Sequence, residues 1–503
     1  MTTQPDATRR TLYAEAQQRG IEGRSTMTKA QLAQALARHG DAAAEAPQVA
    51  TRYATFKRLA EAVAAGEFVL RPRALSGHER RRHVRQTLRE DHQTRIADGS
   101  EEASAKFDKL ADSFFSFFRG TALLFYRDMA GDDAWMPTVL ALGDVHPSNF
   151  GVMPNADNVP IFSVNDFDEA YYAPFTWDLK RGAVGFLIAA EVEGDLKRKQ
   201  ALKVVRHFVE GYIDAMQRLA REGTEQDEEM RHDNAPKLIK KLFEDADEPR
   251  DEWLVDDYLD EGRRGFRPTQ KLVPISSRRD EFQTIMDRLI AENDIEIPAR
   301  ARAQEGNGVR VKDVAIRLGQ GTASLGLNRY YVLLEGPGGE GKDDLIVELK
   351  QARRSALSGL VPPSAYTLDS RAERVSHAQA VHLVRGDIFY GHVEFEGHSY
   401  LSRERAPFRD DIDLDDLSKS EWKTYAHLCG GVLAGVHALS DDSGRIDYDI
   451  EPAIVKAVTP AKLFICDMVE FAAEAADRLR HDHELFREDH THGAFEHLDW
   501  VHR

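Results

Sequence analysis

Residues 140–181, LALGDVHPSNFGVMPNADNVPIFSVNDFDEAYYAPFTWDLKR, constrain this chain more than any other stretch. The apolar run 138–142 stops at Gly143, the polar loop Asp144-Val-His-Pro-Ser-Asn149 follows, and a second apolar run at 159–164 leads into Asp166-Phe-Asp168. Short apolar runs bounded by Gly, Pro, Asp and Asn predict strand, loop, strand, loop. Neighbouring loops then carry Asp144, His146, Asn149, Asp166 and Asp168. Several carboxylates with one Asn amide oxygen suit hard Mg²⁺, which keeps water and phosphate oxygens as its other ligands. One carboxylate stays free to accept a proton. Taken singly these residues are ordinary turn formers; the ordered set is what reads as a site.

The spacing G-D-x-H-x-x-N, then an apolar strand and D-F-D, resembles the catalytic core of the aminoglycoside and choline kinase group within the protein-kinase-like superfamily. Ala173-Pro-Phe-Thr-Trp-Asp178-Leu179 stands where that group has an Asp-Leu pair opening a helix. Together, GDVHPSNFG, NDFDEA and PFTWDLKR look even more like the bacterial family of unknown function DUF2252. The resemblance implies Asp144 as catalytic base, Asn149, Asp166 and Asp168 at the metal, and His146 shaping the loop or facing phosphate.

Strand character returns near residue 309. Residues 314–334 read as strand, Gly-rich turn, strand, and Leu345-Ile-Val-Glu-Leu-Lys350 as a third strand ending on a lysine. In pattern this resembles the phosphate-covering hairpin and lysine strand of a kinase small lobe. Gly319, Gly321, Ser324 and Gly326 would let backbone approach the ATP phosphates, and Lys350 would supply a point charge to them. Gly336-Pro-Gly-Gly-Glu-Gly341-Lys342 imitates a P-loop, but Asp343 stands where Ser or Thr should hold Mg²⁺, so a hairpin turn is the better reading. A helix at 370–384 follows, on which Glu373 or Gln379 could partner Lys350, then a strand pair at 387–405. The helix 422–439 resembles the one that ordinarily precedes the catalytic loop. Here it comes last.

That order predicts an α+β, two-lobed, protein-kinase-like fold that is circularly permuted: a large lobe from 50–305 and 406–503, and a small lobe at 306–405. Ahead of it, residues 1–45 read as two short amphipathic helices around a Gly-bounded loop. This module resembles Rho N-terminal and SAP modules, which implies nucleic-acid contact through Arg24, Ser25 and Lys29; protein docking is equally open. A net charge of −18 excludes wholesale binding of a polyanion, so any such contact is local. The longest apolar run, 184–190, is too short for a bilayer, and the N-terminus carries no apolar leader, which predicts a cytoplasmic protein without membrane contact. Cys429 and Cys466 read as buried thiols. The basic stretch 71–95 and the His-rich end, with His481, His483, His490 and His492, read as solvated, and residues 107–129 as one long apolar helix.

The expected activity is ATP- and Mg²⁺-dependent phosphoryl transfer to a hydroxyl acceptor whose identity the sequence does not name. Transfer of AMP to a protein, and a non-catalytic nucleotide-binding scaffold docking on nucleic acid, are the alternatives.

Overall fold

A computed structural model describes residues 8–18, 24, 27–29, 31–32, 36, 51–98, 101–246, 248–304, 308–318, 328–338, 340–364, 366, 371–383, 385–407, 410–443 and 445–498. Gly319, Gly321, Ser324, Gly326, Ser25 and the stretch 41–49 lie outside the described residues. The architecture is mixed helix and sheet. The strands are β1 (Thr138–Ala141), β2 (Phe150–Pro154), β3 (Pro160–Val164), β4 (Tyr171–Pro174), β5 (Leu272–Pro274), β6 (Val311–Arg317), β7 (Arg329–Leu334), β8 (Leu345–Gln351), β9 (Gly391–Phe395), β10 (His398–Arg405) and β11 (Asp410–Asp411).

Two bodies of apolar contact organise them. In the first, β1 pairs with β4 and β2 with β3, all antiparallel, and β11 closes on β2. Helix Phe175–Val192 runs through this core, buried from Phe175 to Ala190, as a helix apolar on nearly every face must be. Helices Arg198–Glu222 and Lys419–Ala438 cross at backbone contact: a Cβ on Gly211 would lie 2.0 Å from the His427 carbonyl oxygen, and one on Gly430 2.1 Å from that of Phe208. Only glycine allows so close an approach.

The second body is a sheet in the order β5-β6-β7-β8-β10-β9, antiparallel throughout. Strand alternation explains its two faces. Leu345, Val347 and Leu349 of β8 enter a core with Phe282, Ile285 and Leu289 of helix Arg279–Glu292, while Ile346 joins Trp253, Tyr258 and Tyr331 on the other face. Glu348 and Lys350 share that second face and carry it toward the first body. β5 and helix Arg279–Glu292, which fall in the 50–305 segment, therefore belong to the sheet and not to the helical body. Helix Arg371–His382 joins the two, placing Ala372, Val375 and Ala378 in the helical core.

Several expectations are corrected by long-range packing. Residues 107–129 form parts of three helices, Glu101–Asp112, Phe114–Gly120 and Ala122–Asp128, because Ser113 leaves the helix to cap the second through its hydroxyl, which accepts from Ser116 N at 3.2 Å. The basic stretch is not solvated throughout. Arg80, in helix Gly77–Asp91, is 2% exposed and sits between Asp128 (Nη1–Oδ1 2.7 Å) and Asp482 (Nε–Oδ1 2.8 Å). Nor is the C-terminal helix Ala461–Thr491 a tail: His483 stacks on Phe114 and donates through Nε2 to the Leu110 carbonyl at 2.8 Å. Cys466 is exposed, unlike buried Cys429. At the N-terminus Leu12 and Ala16 meet Leu32 and Leu36 in a small core of their own, yet Ala14 enters the sheet's core and Arg10 donates to the Thr269 carbonyl. Helix Arg9–Gln18 is thus tied to the sheet, and Arg24 is 4% exposed. Among the described residues no helix is long and apolar enough to cross a membrane.

Candidate functional site

The loop after β1 begins with a turn that admits only glycine. Gly143 has φ +82°, and a Cβ there would lie 2.3 Å from the Glu169 carbonyl oxygen. Asp178, fully buried near the start of helix Phe175–Val192, clamps the loop by accepting from Leu142 N at 2.6 Å and Gly143 N at 2.9 Å. Its carboxylate is held in turn by His437 Nε2 at 3.0 Å, and the His437 ring meets Tyr212 Oη at 2.8 Å through Nδ1. Tyr425, on the same Lys419–Ala438 helix as His437, donates to the Pro147 carbonyl at 2.6 Å. This helix, which follows the site in sequence by more than 200 residues, therefore lies directly against the Asp144–Asn149 loop.

Within the loop, Asp144 Oδ1 accepts from Arg181 Nε at 3.0 Å and Nη2 at 2.8 Å, while Arg181 also donates to the Phe118 carbonyl. Both guanidinium donors converge on that one oxygen, which leaves Oδ2 facing His146 Nε2 at 3.9 Å. His146 is 2% exposed, with its ring edge-on to Phe115. Burial, aided by the charges of Arg119 and Arg181, holds its imidazole well below the usual range. Asn149 Nδ2 donates to the Asp144 carbonyl at 2.7 Å, which leaves the amide oxygen as its available ligand atom. The Asn149 carbonyl accepts from Asn165 N, and Asn165 Nδ2 donates to Asp411 on β11 at 2.6 Å.

After β3, Asp166 Oδ1 accepts from Asp168 N at 3.1 Å, an Asx turn of the kind this residue favours. Asp168 is ion-paired with Lys350 Nζ, 182 residues away. Burial, reinforced by the Asp168 charge, pushes the Asp166 carboxyl up. Burial works in the same direction on Asp168, but the Lys350 ammonium outweighs it and holds that carboxyl down. Next to Lys350 on the same face of β8, buried Glu348 takes Arg403 Nε at 2.5 Å and Arg329 Nη1 at 2.9 Å.

The structure thus places Asp144, His146 and Asn149 in one loop, Asp166 and Asp168 in the next, and Lys350 against Asp168. It does not bring Asp144, Asp166 and Asp168 into one carboxylate cluster; among the described residues the group of three close carboxylates is Asp441, Asp449 and Glu451, elsewhere. Neither Glu373, which is exposed, nor Gln379 pairs with Lys350. Helix Arg371–His382 contributes Arg374 instead, which is 2% exposed and donates to the carbonyls of Ala170 (2.6 Å), Asp168 (2.8 Å) and Arg353 (3.1 Å). Arg181, Arg374 and His437 escaped the sequence reading. Arg181 ends the PFTWDLKR motif and could have been found there; His437 had no signal beyond its place on an apolar helix.

These features define an α+β protein with two neighbouring acidic loops, one of which is ion-paired to a lysine at the end of a strand. The family model described as "Uncharacterized protein conserved in bacteria (DUF2252)" matches residues 99–489, and the chain belongs to that family. No curated protein and no solved structure matches it.

Proposed function

We propose that the chain is an ATP- and Mg²⁺-dependent phosphotransferase of circularly permuted kinase-like fold, acting on a hydroxyl acceptor. The observation that supports this reading is the Lys350–Asp168 pair, which joins the lysine strand to the Asp166–Asp168 loop despite their distance in sequence. Asn149 and Asp166 would hold Mg²⁺, whose role when bound is to neutralise phosphate charge and orient the transferred group. Lys350 would leave Asp168 in part to meet the phosphates. Asp144, held by Arg181 on one oxygen, keeps the other to take the proton of the attacking hydroxyl.

Nucleotide binding is the first test. A ligand bound only by the native state at one hundred times its Kd stabilises it by about 2.7 kcal/mol, so Mg²⁺ with ATP should raise the melting temperature, and Asp166→Ala should remove the Mg²⁺-dependent part. An unchanged melting curve at saturating nucleotide counts against any kinase-like site. ATP labelled at the γ or the α phosphate, incubated with metabolite and protein extracts, then separates phosphoryl from AMP transfer. Asp144→Asn should lower γ transfer by roughly 10² to 10⁴-fold without abolishing the nucleotide-induced melting shift. Label arriving only from the α position would replace this reading with AMP transfer, and binding without either product would leave a scaffold.

A further inference from the structure

A cavity of about 510 Å³ opens between the end of helix Tyr53–Ala64, the loop that follows helix Ala122–Asp128, and helices Phe175–Val192 and Ala461–Thr491. Its volume falls in the range of small-molecule sites. Arg71, Arg73, Lys180 and Arg478 line it, four cations together on a chain of net charge −18. Lys180 is matched by Asp133 at 2.6 Å, and Arg478 together with Arg80 by Asp128 and Asp482. Arg71 and Arg73 each donate through Nη1 to a different oxygen of Asp132, so two positive charges there meet one negative charge. Glu474, the other acid of the wall, is exposed and bonded to none of them. The surplus keeps its hydrogen-bonding capacity. A guanidinium has five N–H donors; Arg71, Arg73 and Arg478 each make one bond to those carboxylates, and their side chains stay 20–35% exposed.

The mouth carries an aromatic ring. Trp135 lines the cavity and is 78% exposed, yet its loop is firmly held. Gly131 N donates to the Leu360 carbonyl at 2.8 Å, Trp177 Nε1 to the Asp132 carbonyl at 3.1 Å and Met136 N to the Asp133 carbonyl at 2.9 Å. Phe68 and Leu70, both exposed, lie between Gly66 and Arg71, which also line the cavity. Three of the five large hydrophobic side chains exposed among the described residues thus stand on or beside this cavity. Scattered singly they would need no explanation, but grouped they mark a binding surface.

We propose that this cavity binds a small aromatic monocarboxylate, its carboxylate on the spare donors of Arg71 and Arg73 and its ring on Trp135. A guanidinium fork matches a carboxylate in shape and charge, and an indole face takes a flat ring in offset stacking. Charge decides between oxyanions: the surplus at Asp132 is one positive charge, which a carboxylate balances, whereas a phosphate monoester brings about −1.5 to −2. None of these residues lies in the Asp144–Asn149 or the Asp166–Asp168 loop, so the site stands apart from the phosphotransferase reading.

Titration calorimetry of the full chain tests this with cinnamate, its neutral amide cinnamamide, acetate and phenyl phosphate. Cinnamate should bind at a single site. Cinnamamide, which lacks the charge, and acetate, which lacks the ring, should bind about tenfold more weakly or worse. Arg73→Gln should weaken cinnamate about tenfold, the loss of one charge-assisted hydrogen bond, while Arg71 keeps Asp132 paired. Trp135→Ala should weaken it about three- to tenfold and leave the melting temperature unchanged, because an exposed side chain contributes little to folding. Should Arg73→Gln fail to fold, the Trp135 variant carries the test alone. Cinnamamide binding as tightly as cinnamate, an unchanged affinity in Trp135→Ala, or no heat with cinnamate at millimolar concentration overturns the proposal. Arginines that serve only as struts for Asp132 would show as a lower melting temperature in Arg73→Gln with unchanged affinity, which overturns it as well. Phenyl phosphate binding more tightly than cinnamate overturns the carboxylate as the ligand.

Discussion

Arg80→Met is expected to cost about 3–5 kcal/mol of folding stability, the usual penalty for removing one partner from a buried ion pair. Arg80 serves two carboxylates at once. Its guanidinium reaches both oxygens of Asp128 (2.7 and 2.8 Å) and both of Asp482 (2.8 and 2.5 Å), and neither acid is more than 2% exposed. Without it, Asp482 has no other cation bonded to it among the described residues, while Asp128 keeps Arg478 Nε at 2.9 Å. The loss should therefore fall mainly on Asp482. Urea unfolding checks this, and Arg80→Met combined with Asp482→Asn should recover part of the loss, because the stranded charge is gone. A loss below about 1 kcal/mol, the value of an exposed pair, would show that the interior relaxes around the two acids. Because Asp482 lies in the C-terminal helix, the variant should loosen that helix from the Gly77–Asp91 helix first.

Stability should fall as pH drops below about 6.5, well before ordinary carboxylates titrate. Burial, with smaller contributions from neighbouring charges, pushes His83 down to about 3 and His382 down to about 3. A base whose folded value lies below its unfolded value of about 6.5 binds its proton more readily in the unfolded chain. Its contribution is full above pH 6.5 and is lost progressively as pH falls toward the folded value. At pH 4 the loss is roughly 3 kcal/mol for each of the two, to order of magnitude. Buried His92 and His146 act in the same sense. Urea unfolding at pH 7 and pH 5 should show a slope of at least two protons taken up on unfolding, and His382→Phe should flatten it by about one. Equal stability at the two pH values would mean that these rings are reached by water in the native state. His382 donates through Nδ1 to the Val436 carbonyl at 3.1 Å and stacks on Phe167, so its protonation strains the join between helix Arg371–His382, the Asp166–Asp168 loop and helix Lys419–Ala438.

What the sequence disclosed was local. Strands β1 and β3, the Asp144–Asn149 loop and β8 with its terminal lysine were legible because each is written in a few consecutive residues with strand alternation or turn chemistry, whereas β2 (Phe150–Pro154) was not read. The charges of residues 71–95 were not. Helical spacing shows which side chains share a face, but Arg80 looks solvated until Asp482 is known to lie opposite it, 402 residues on. The partner of Lys350 was misplaced for a related reason: a carboxylate already assigned to metal was not weighed as a lysine partner, and helix Arg371–His382 turned Arg374, not Glu373, toward the loop. The break at Ser113 was written in the sequence as a capping serine, but four phenylalanines drowned the signal.

The bond from His437 to Asp178 also sets a clock on biosynthesis. The two residues are 259 apart in the chain, which at 5–20 residues per second amounts to roughly 13–50 s of translation. Throughout that interval Asp178 can hold the Leu142 and Gly143 amides without its own partner, and the Asp144 loop lacks the Tyr425 hydroxyl that steadies its Pro147 carbonyl. A nascent chain carrying every acidic residue of the site is therefore still without a finished one. Ribosomes that stall before Tyr425 and His437 emerge would release fragments bearing the whole GDVHPSNFG and NDFDEA signature on a loop that the Lys419–Ala438 helix does not yet hold.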